Sequence, residues 1–261
     1  MDPERRGELE NIALEVRKDV VRMLGVAHAG GFKKVAGIVD ILVFLYWECM
    51  NVFPAERNRQ GRDRFVLAHG AAVPALYACL ARRGYFDREE LWSYGRLGAT
   101  LQGLADIRTP GVDAPWCYGG GIGIACGIAS SFGSEERQRV FCLIDEDDMA
   151  SGAMWESAVA LPPEAAARLV LLIDTRTPNE KTASVLEVFG WDIVHADGND
   201  FDSMSEAFGA LDHGSANPKA IIALNKTASM ANLGFQGGDA PMSKDDVDNT
   251  ITFLERVTRD K

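Results

Sequence analysis

The chain has 261 residues, of which 47% are hydrophobic, and its 27 basic and 38 acidic side chains give a formal net charge of −11. This composition provides for a large buried core, while the negative charge argues against nucleic acid or an anionic membrane surface as the main partner. No apolar run could span a bilayer, the amino terminus lacks the apolar stretch of a signal peptide, and five dispersed cysteines suit reduced thiols, so we expect a cytoplasmic protein.

The first half of the chain alternates helical patterns with one short strand pattern and a glycine-rich segment. In chain order we predict helices over 9–24 and 34–50, a strand over 65–67, helices over 74–83 and 87–97, and a helix that starts in the glycine-rich segment 119–130.

Strand and helix patterns alternate regularly from residue 140 onwards. We predict strands over 140–144, 169–173, 192–196 and 220–224, with helices over 181–189, 201–211 and 244–259. Most of these strands are continuously apolar, which is typical of strands buried on both faces, and the alternation implies a parallel sheet with helices on both faces. The predicted fold class is therefore α/β with three layers, as one domain over residues 1–261.

Four consecutive acids, Asp145, Glu146, Asp147 and Asp148, follow the apolar strand pattern 140–144. In an open α/β sheet, ligands bind outside the carboxyl ends of the strands, so these acids are candidate ligand-binding residues. Adjacent carboxylates repel one another, and the run therefore requires a cation, an arginine or full exposure to water.

Several short motifs occur in a fixed order that is more specific than any one of them. They are His28-Ala29-Gly30-Gly31, the strand segment Arg62-Asp63-Arg64-Phe65-Val66-Leu67 followed by the helix segment Pro74-Ala75-Leu76-Tyr77-Ala78, Thr109-Pro110-Gly111-Val112-Asp113, Gly119-Gly120-Gly121, Phe189-Gly190-Trp191 and Asp197-Gly198-Asn199-Asp200. In this order they resemble the motifs of the N-terminal, diphosphate-binding domain of the transketolase family. The resemblance covers nearly the whole chain and implies the thiamine diphosphate-binding fold.

The resemblance also implies a chemistry and a partner. The family uses thiamine diphosphate and a divalent metal such as Mg²⁺ to transfer a two-carbon ketol unit between sugar phosphates. A second, pyrimidine-binding domain carries the glutamate that activates the cofactor, and nothing in this chain resembles that domain. We therefore expect one half of a split enzyme, acting on a sugar or keto substrate with a separate C-terminal-type subunit, as a heterotetramer or a homodimer.

The motifs carry the family's functional positions onto particular residues. The resemblance implies a catalytic role for His28 and a doubtful metal-binding role for Glu146. The cofactor-binding positions that it implies are Gly70, Gly119, Gly121, Asp145, Asp147, Asp148 and Arg176. On the residues alone, Gly119–Gly121 could equally serve tight packing of a helix on the sheet, and His28 could be a loop histidine kept by hydrogen bonding.

The acidic run departs from the family's Gly-Asp-Gly-Glu motif. Asp145 and Asp147 stand where the family has glycines, which adds bulk and two negative charges beside an anionic cofactor. Glu146 stands at the metal-binding aspartate, and Arg176 stands at the second metal ligand, an asparagine. Because arginine has no acceptor atom, Arg176 cannot bind a metal, but it can form a forked pair with a carboxylate such as that of Glu146 or Asp148.

Three of the family's four site histidines are also replaced. His28 is retained, whereas the other positions align with Ala71, Leu104 and Gly237, or Gln236 if the alignment shifts by one residue. Two interpretations remain open. The chain is either an enzyme subunit with an altered metal or substrate requirement, or a catalytically lapsed subunit that stabilises or regulates a partner without cofactor, its acids neutralised by Arg176.

Overall fold

The computed structural model describes residues 1–133, 137–211, 214–226 and 240–259. Five parallel strands form one sheet in the order β1-β2-β3-β5-β4. Their bounds are β1 Arg64–Leu67, β2 Val140–Asp145, β3 Leu169–Thr175, β4 Asp192–Asp197 and β5 Lys219–Leu224. All five lie where the sequence predicts strands, and the predicted α/β fold is confirmed.

Helices connect these strands, and most begin and end close to the predicted positions. They are α1 Pro3–Val26, α2 Phe32–Ala36, α3 Ile38–Phe44, α4 Val73–Arg82, α5 Gly121–Ser130, α6 Gly152–Val159, α7 Pro163–Ala166, α8 Glu180–Val188, α9 Phe201–Ala210 and α10 Lys244–Arg259. Short turns of 3₁₀ helix lie at Pro54–Glu56, Gly70–Ala72, Arg88–Ser93 and Asp148–Ala150, and a π-helical turn lies at Leu45–Cys49.

Two helix predictions need correction. The helix predicted over 34–50 is divided into α2, α3 and the π-helical turn, and the first break falls at Gly37, whose helix propensity is among the lowest of all residues. The helix predicted over 87–97 is a short 3₁₀ helix over Arg88–Ser93. Asp87 caps it by accepting a hydrogen bond from the backbone N–H of Glu89 at 3.1 Å. No helix among the described residues is long and apolar enough to cross a membrane.

The sheet is covered on both faces, which gives the three predicted layers. Along β2, Phe141 and Leu143 pack with α1, α3, α4 and α9 on one face, whereas Cys142 and Ile144 pack with α5 to α8 on the other. This period of two is the side-chain alternation of any strand. It divides the apolar core into two clusters, one on each face of the sheet.

We call the side of the sheet where the five strands end the carboxyl edge. The same alternation decides which polar side chains meet there. Asp145 at the end of β2 pairs in register with Asp174 near the end of β3. Both continue the face that carries α1, α3, α4 and α9. The chain beyond β1 still follows β2, since the backbone N–H of His69 donates to the carbonyl of Leu143 at 3.3 Å. His69 therefore reaches this edge beside Asp145.

Candidate functional site

The acids of the run Asp145–Asp148 fold back on their own backbone. Oδ1 of Asp145 accepts hydrogen bonds from the backbone N–H groups of Asp147 and Asp148, both at 3.0 Å. A carboxylate that accepts two N–H groups in this way fixes a tight turn. We call Asp145–Asp148 the acidic turn. This carboxylate oxygen therefore accepts from backbone groups of the turn itself rather than from a bound ligand.

Asp148 is the buried member of the acidic turn, only 2% exposed. Its Oδ1 accepts from the backbone N–H of Gly119 at 2.7 Å, and its Oδ2 accepts more weakly from the N–H of Asp145 at 3.3 Å. Burial raises the pKa of the Asp148 carboxyl, because desolvation disfavours its charged form, and the nearby charge of Asp145 adds to this effect. The two hydrogen bonds act in the opposite direction but do not cancel the increase.

Glu146 and Arg176 do meet, but not through the groups that the sequence suggests. The backbone N–H of Arg176 donates to Oε1 of Glu146 at 2.8 Å. The guanidinium is exposed and forms no ion pair with a carboxylate in the described part of the chain. The forked arginine–carboxylate pair expected at this position is therefore wrong. A backbone amide satisfies Glu146, because the pairing of β2 with β3 brings the two strand ends together.

The side chain that does lie among the acids is that of His69, a residue that the sequence motifs did not assign to the site. Its ring is 4% exposed and lies between two carboxylates. Nε2 is 3.3 Å from Oδ2 of Asp174 with hydrogen-bond geometry, and Nδ1 is 3.2 Å from Oδ2 of Asp145 at ion-pair distance but without the direction of a hydrogen bond. The sequence contains a signal for this position: side chains alternate between the faces of a strand, and continuing that alternation beyond β1 places His69 on the same face as Phe65 and Leu67.

The predicted cofactor glycines lie at the carboxyl edge, and their surroundings explain why they are glycines. Gly119 has a positive φ of 65°, and a Cβ there would lie 2.0 Å from Oγ of Ser151. A Cβ on Gly121 would lie 2.5 Å from the Cβ of Ala68. Close packing of α5 on the sheet is thus sufficient to require Gly121, as the alternative interpretation held. Gly119 is required by its positive φ and by the contact with Ser151.

Gly70 is covered rather than open. A Cβ on Gly70 would lie 3.0 Å from Nε1 of Trp116, so the indole packs directly over this residue. The same nitrogen is buried and has no hydrogen-bond partner among the described residues. A cofactor-binding role for Gly70 stays a prediction, and it would require Trp116 to move or to donate to the ligand.

His28 ends helix α1 in a left-handed conformation, with a φ of 49°. The backbone N–H of Ala29 donates to the carbonyl of Leu24 at 2.8 Å and that of His28 to Gly25 at 3.2 Å, which is the pattern of a helix C-terminal cap. The imidazole is exposed, and within the described residues it makes no side-chain hydrogen bond or ion pair. The catalytic role of His28 stays a prediction.

The described residues do not fit a divalent metal. No three histidine, cysteine, aspartate or glutamate side chains among them converge as a ligand set. Glu146 is held by the amide of Arg176, and Asp148 by the amide of Gly119. Mg²⁺ needs near-octahedral oxygen ligands, which this arrangement does not provide. For a diphosphate, the edge offers the exposed guanidinium of Arg176. Gly237 and Gln236, aligned with one family histidine, lie outside the described residues.

Comparisons with known proteins agree with the motif order. The family model described as transketolase, thiamine diphosphate binding domain, matches residues 10–147. One of the subunits of the apulose-4-phosphate transketolase of Phocaeicola vulgatus is 26% identical over 219 residues, which are 79% of this chain and 78% of that protein. An uncharacterized transketolase family protein of Sinorhizobium fredii is 29% identical over 232 residues, 83% of each chain.

The fold has a counterpart among solved structures. Transketolase from Campylobacter jejuni superposes with a TM-score of 0.77 at 22% identity, over 97% of this chain and 43% of that one. At this identity the similarity shows the fold, which is the α/β thiamine diphosphate-binding fold. Because the family model also covers more than half of the sequence, the chain belongs to the transketolase family, in which it corresponds to the N-terminal, thiamine diphosphate binding domain.

Proposed function

We propose that this chain is the N-terminal-type subunit of a split transketolase-type enzyme, which works with a separate pyrimidine-binding subunit. The pair would use thiamine diphosphate to transfer a two-carbon ketol unit to or from a sugar or keto substrate. The observation that carries this proposal is the match to a relative that is itself called a subunit, over more than three quarters of both chains. The full-length transketolase of Campylobacter jejuni is matched over only 43% of its length.

The charges at the carboxyl edge define how a diphosphate could be held. Arg176 is the exposed cation one residue beyond β3, and its backbone is anchored to Glu146 at 2.8 Å. A guanidinium can bind two phosphate oxygens at once, so Arg176 is the residue that we assign to the diphosphate. The amide of Gly119 would become available to the ligand only if Asp148 released it.

A second candidate function is supported by the acidic turn itself. Glu146 and Asp148 accept hydrogen bonds from backbone amides outside the turn, and Asp145 accepts two from inside it, so these carboxylates have partners without a ligand. A catalytically lapsed subunit, which stabilises or regulates its partner without cofactor, would have such a site. The two candidates share the partner and differ in cofactor binding.

Melting temperature and calorimetry separate the candidates. The chain would be purified alone and co-expressed with a pyrimidine-binding transketolase-type subunit of the same organism, and each sample titrated with thiamine diphosphate. Ligand bound to the native state at about 100 times its Kd stabilises it by about 2.7 kcal/mol, which raises the melting temperature by several degrees. Thiamine without phosphates is the control ligand.

Each outcome decides between the candidates. A stable complex whose melting temperature rises with thiamine diphosphate, and in which Arg176→Ala removes most of the rise, supports the enzyme subunit. A stable complex without any rise supports the lapsed subunit. Failure of the two chains to associate would contradict both candidates.

A further inference from the structure

A cavity of about 250 Å³ lies at the carboxyl edge, over the ends of β3, β5 and β4. At about 30 Å³ for each water molecule, it has room for roughly eight waters. None of the residues around it belongs to the acidic turn or to the positions that the family resemblance implies for the cofactor. We call it the β4 cavity, and its walls include Thr175, His195, Asp197, Ser203, Ile222 and Leu224.

Strand pairing brings one wall of the β4 cavity together. Thr175 of β3 pairs in register with Leu224 of β5, which pairs in turn with Asp197 of β4. Two residues earlier on the same face, Ile222 pairs with His195. Ile222 belongs to the apolar cluster that packs with α5 to α8, whereas His195 is exposed and Leu224 partly exposed. The helices therefore leave the ends of β5 and β4 uncovered on this face, and the cavity lies there.

The hydroxyl of Thr175 has no partner within the part of the chain that the structure describes. The residue is fully buried, and its Oγ1 makes no hydrogen bond there. Buried hydroxyls in native proteins are nearly always paired, because an unpaired one has lost its hydrogen bonds to water without replacement. Since Thr175 lies in the wall of the β4 cavity, a molecule bound in the cavity can supply the missing partner.

Two further polar side chains of the wall keep unused hydrogen-bonding capacity. Oγ of Ser203 accepts from the backbone N–H of Asp197 at 2.9 Å, and its own hydrogen has no acceptor among the described residues. The exposed imidazole of His195 makes no side-chain hydrogen bond or ion pair with any described residue. Together with Thr175, the wall thus presents two hydroxyls and an imidazole, which are groups that can donate as well as accept.

The charges beside the β4 cavity are already paired with each other. The carboxylate of Asp197 accepts from the backbone N–H of Asn199 at 3.0 Å and forms an ion pair with Nζ of Lys226. No three potential metal ligands converge among the described residues, so a metal is not favoured here. Ile222 and Leu224 make the rest of this wall apolar. Such a surface favours an uncharged molecule whose carbon atoms pack on the apolar wall and whose hydroxyls bond to the polar groups.

We propose that the β4 cavity binds a small uncharged polyol, with Thr175, His195 and Ser203 as its hydrogen-bonding partners. The site is separate from the acidic turn and does not depend on thiamine diphosphate or on a partner subunit. Its test therefore needs neither of them, and its failure would leave the proposed function unaffected.

Ligand-observed NMR on the wild-type chain tests the proposal, with erythritol as the probe. A ligand of this size should bind with a Kd in the millimolar range. Butane-1,4-diol has the same carbon chain without the two middle hydroxyls, so it should bind at least about fivefold more weakly if the polar wall recognises hydroxyls. Inorganic phosphate should not displace erythritol, because the cavity offers no unpaired positive charge.

Thr175→Val tests the buried hydroxyl, since valine keeps the shape and removes the polar group. It should weaken erythritol binding by about five- to tenfold. Because the hydroxyl has no partner in the free protein, this substitution should not lower the melting temperature. Thr250→Val is the matched control, in which a buried threonine of α10 loses a hydroxyl that donates to the carbonyl of Asp246 at 2.6 Å. It should lower the melting temperature and leave erythritol binding unchanged.

His195→Trp tests the position of the site. The exposed position should accept the larger side chain without loss of the fold, and the indole should fill the cavity and abolish erythritol binding. The proposal is overturned if erythritol does not bind, if butane-1,4-diol binds as tightly, or if phosphate displaces it. It is also overturned if Thr175→Val or a folded His195→Trp binds erythritol like the wild type. A Thr175→Val protein that is unfolded, or as destabilised as Thr250→Val, would show that the hydroxyl already has a partner and would contradict the proposal.

Discussion

The carboxylate of Asp148 accepts a hydrogen bond from the backbone N–H of Gly119 at 2.7 Å, and this contact joins two segments that resemble the family's diphosphate-binding motifs. A buried carboxylate therefore already accepts from the amide of Gly119. Burial is the main cause of the raised pKa of Asp148. We therefore expect this carboxylate to make the stability of the protein depend on pH.

Asp148→Asn should become more stable relative to the wild type as the pH increases. Because the folded pKa of Asp148 is raised above its value in the unfolded chain, the native state binds the extra proton between these two pKa values, and its free energy of unfolding falls as the pH rises through them. Asparagine cannot ionise and avoids this loss. Urea unfolding of both proteins between pH 3.5 and pH 7.5, about the range over which carboxyls titrate, measures the difference.

Asp147→Asn is the control for the loss of one charge, since Asp147 is the exposed acid of the same turn. Its stability difference from the wild type should vary less with pH. A difference between Asp148→Asn and wild type that is constant with pH would contradict the predicted role of burial.

Gly119→Ala should destabilise the protein through both its backbone and its packing. A left-handed φ costs a residue with a side chain about 1–2 kcal/mol, and the new Cβ would lie 2.0 Å from Oγ of Ser151. Overpacking of this kind typically costs about 1–3 kcal/mol more. Chemical denaturation measures the sum, and Ser151→Gly in the same protein should recover the packing part.

Two other glycines provide matched controls for this substitution. Gly98 has a φ of 82° with no atom near its Cβ position, so Gly98→Ala should show the backbone cost alone. Gly127 lies in α5, also with open space, and Gly127→Ala should stabilise the helix by about 0.5–1 kcal/mol. If Gly119→Ala is as stable as Gly98→Ala, the side chain of Ser151 moves away from the new Cβ at little cost, and the predicted packing penalty is wrong.

His28→Gly should stabilise the protein by about 0.5–1 kcal/mol, because glycine adopts the left-handed conformation at a helix end without strain. His28 has this conformation, with a φ of 49°. The control is Ala27→Gly, whose φ of −80° is that of an ordinary helix, so that glycine there should destabilise. If transfer activity is obtained with a partner subunit, a loss of kcat in the more stable His28→Gly protein would support its predicted catalytic role.

Arg176→Ala should change the free energy of unfolding by less than about 0.5 kcal/mol, as is usual for exposed side chains. Its contact with Glu146 is made by the backbone N–H, which alanine keeps. Glu146→Ala should cost about 1 kcal/mol, because it removes the acceptor. The double variant should show the sum of the two effects. A strong coupling between them would mean that the guanidinium does pair with Glu146 in solution.

The fold could be predicted well from local patterns, and the site only in part. Continuous apolar strands separated by helical patterns were sufficient for the α/β architecture, because both signals are local in sequence. The acidic turn was recognised by its place after β2. The hydrogen-bond partners of its carboxylates could not be predicted, because a carboxylate can accept from arginine, histidine or a backbone amide, and local sequence does not say which of these lies near it. Here Asp148 accepts from the amide of Gly119, and Asp145 accepts from two amides of its own turn while its second oxygen lies 3.2 Å from the ring of His69.

The sequence by itself determined the order of strands and helices, the transketolase family and the edge of the sheet where the site lies. Only the tertiary structure decided which groups contact the acids there. His69 meets Asp174 although 105 positions separate them, because three parallel strands in register carry their side chains to one face. Arg176 was the expected partner of these acids because of its positive charge, but it contacts Glu146 through its backbone N–H. Which side chains become neighbours depends on how the strands pair, and strand pairing exists only in the folded chain.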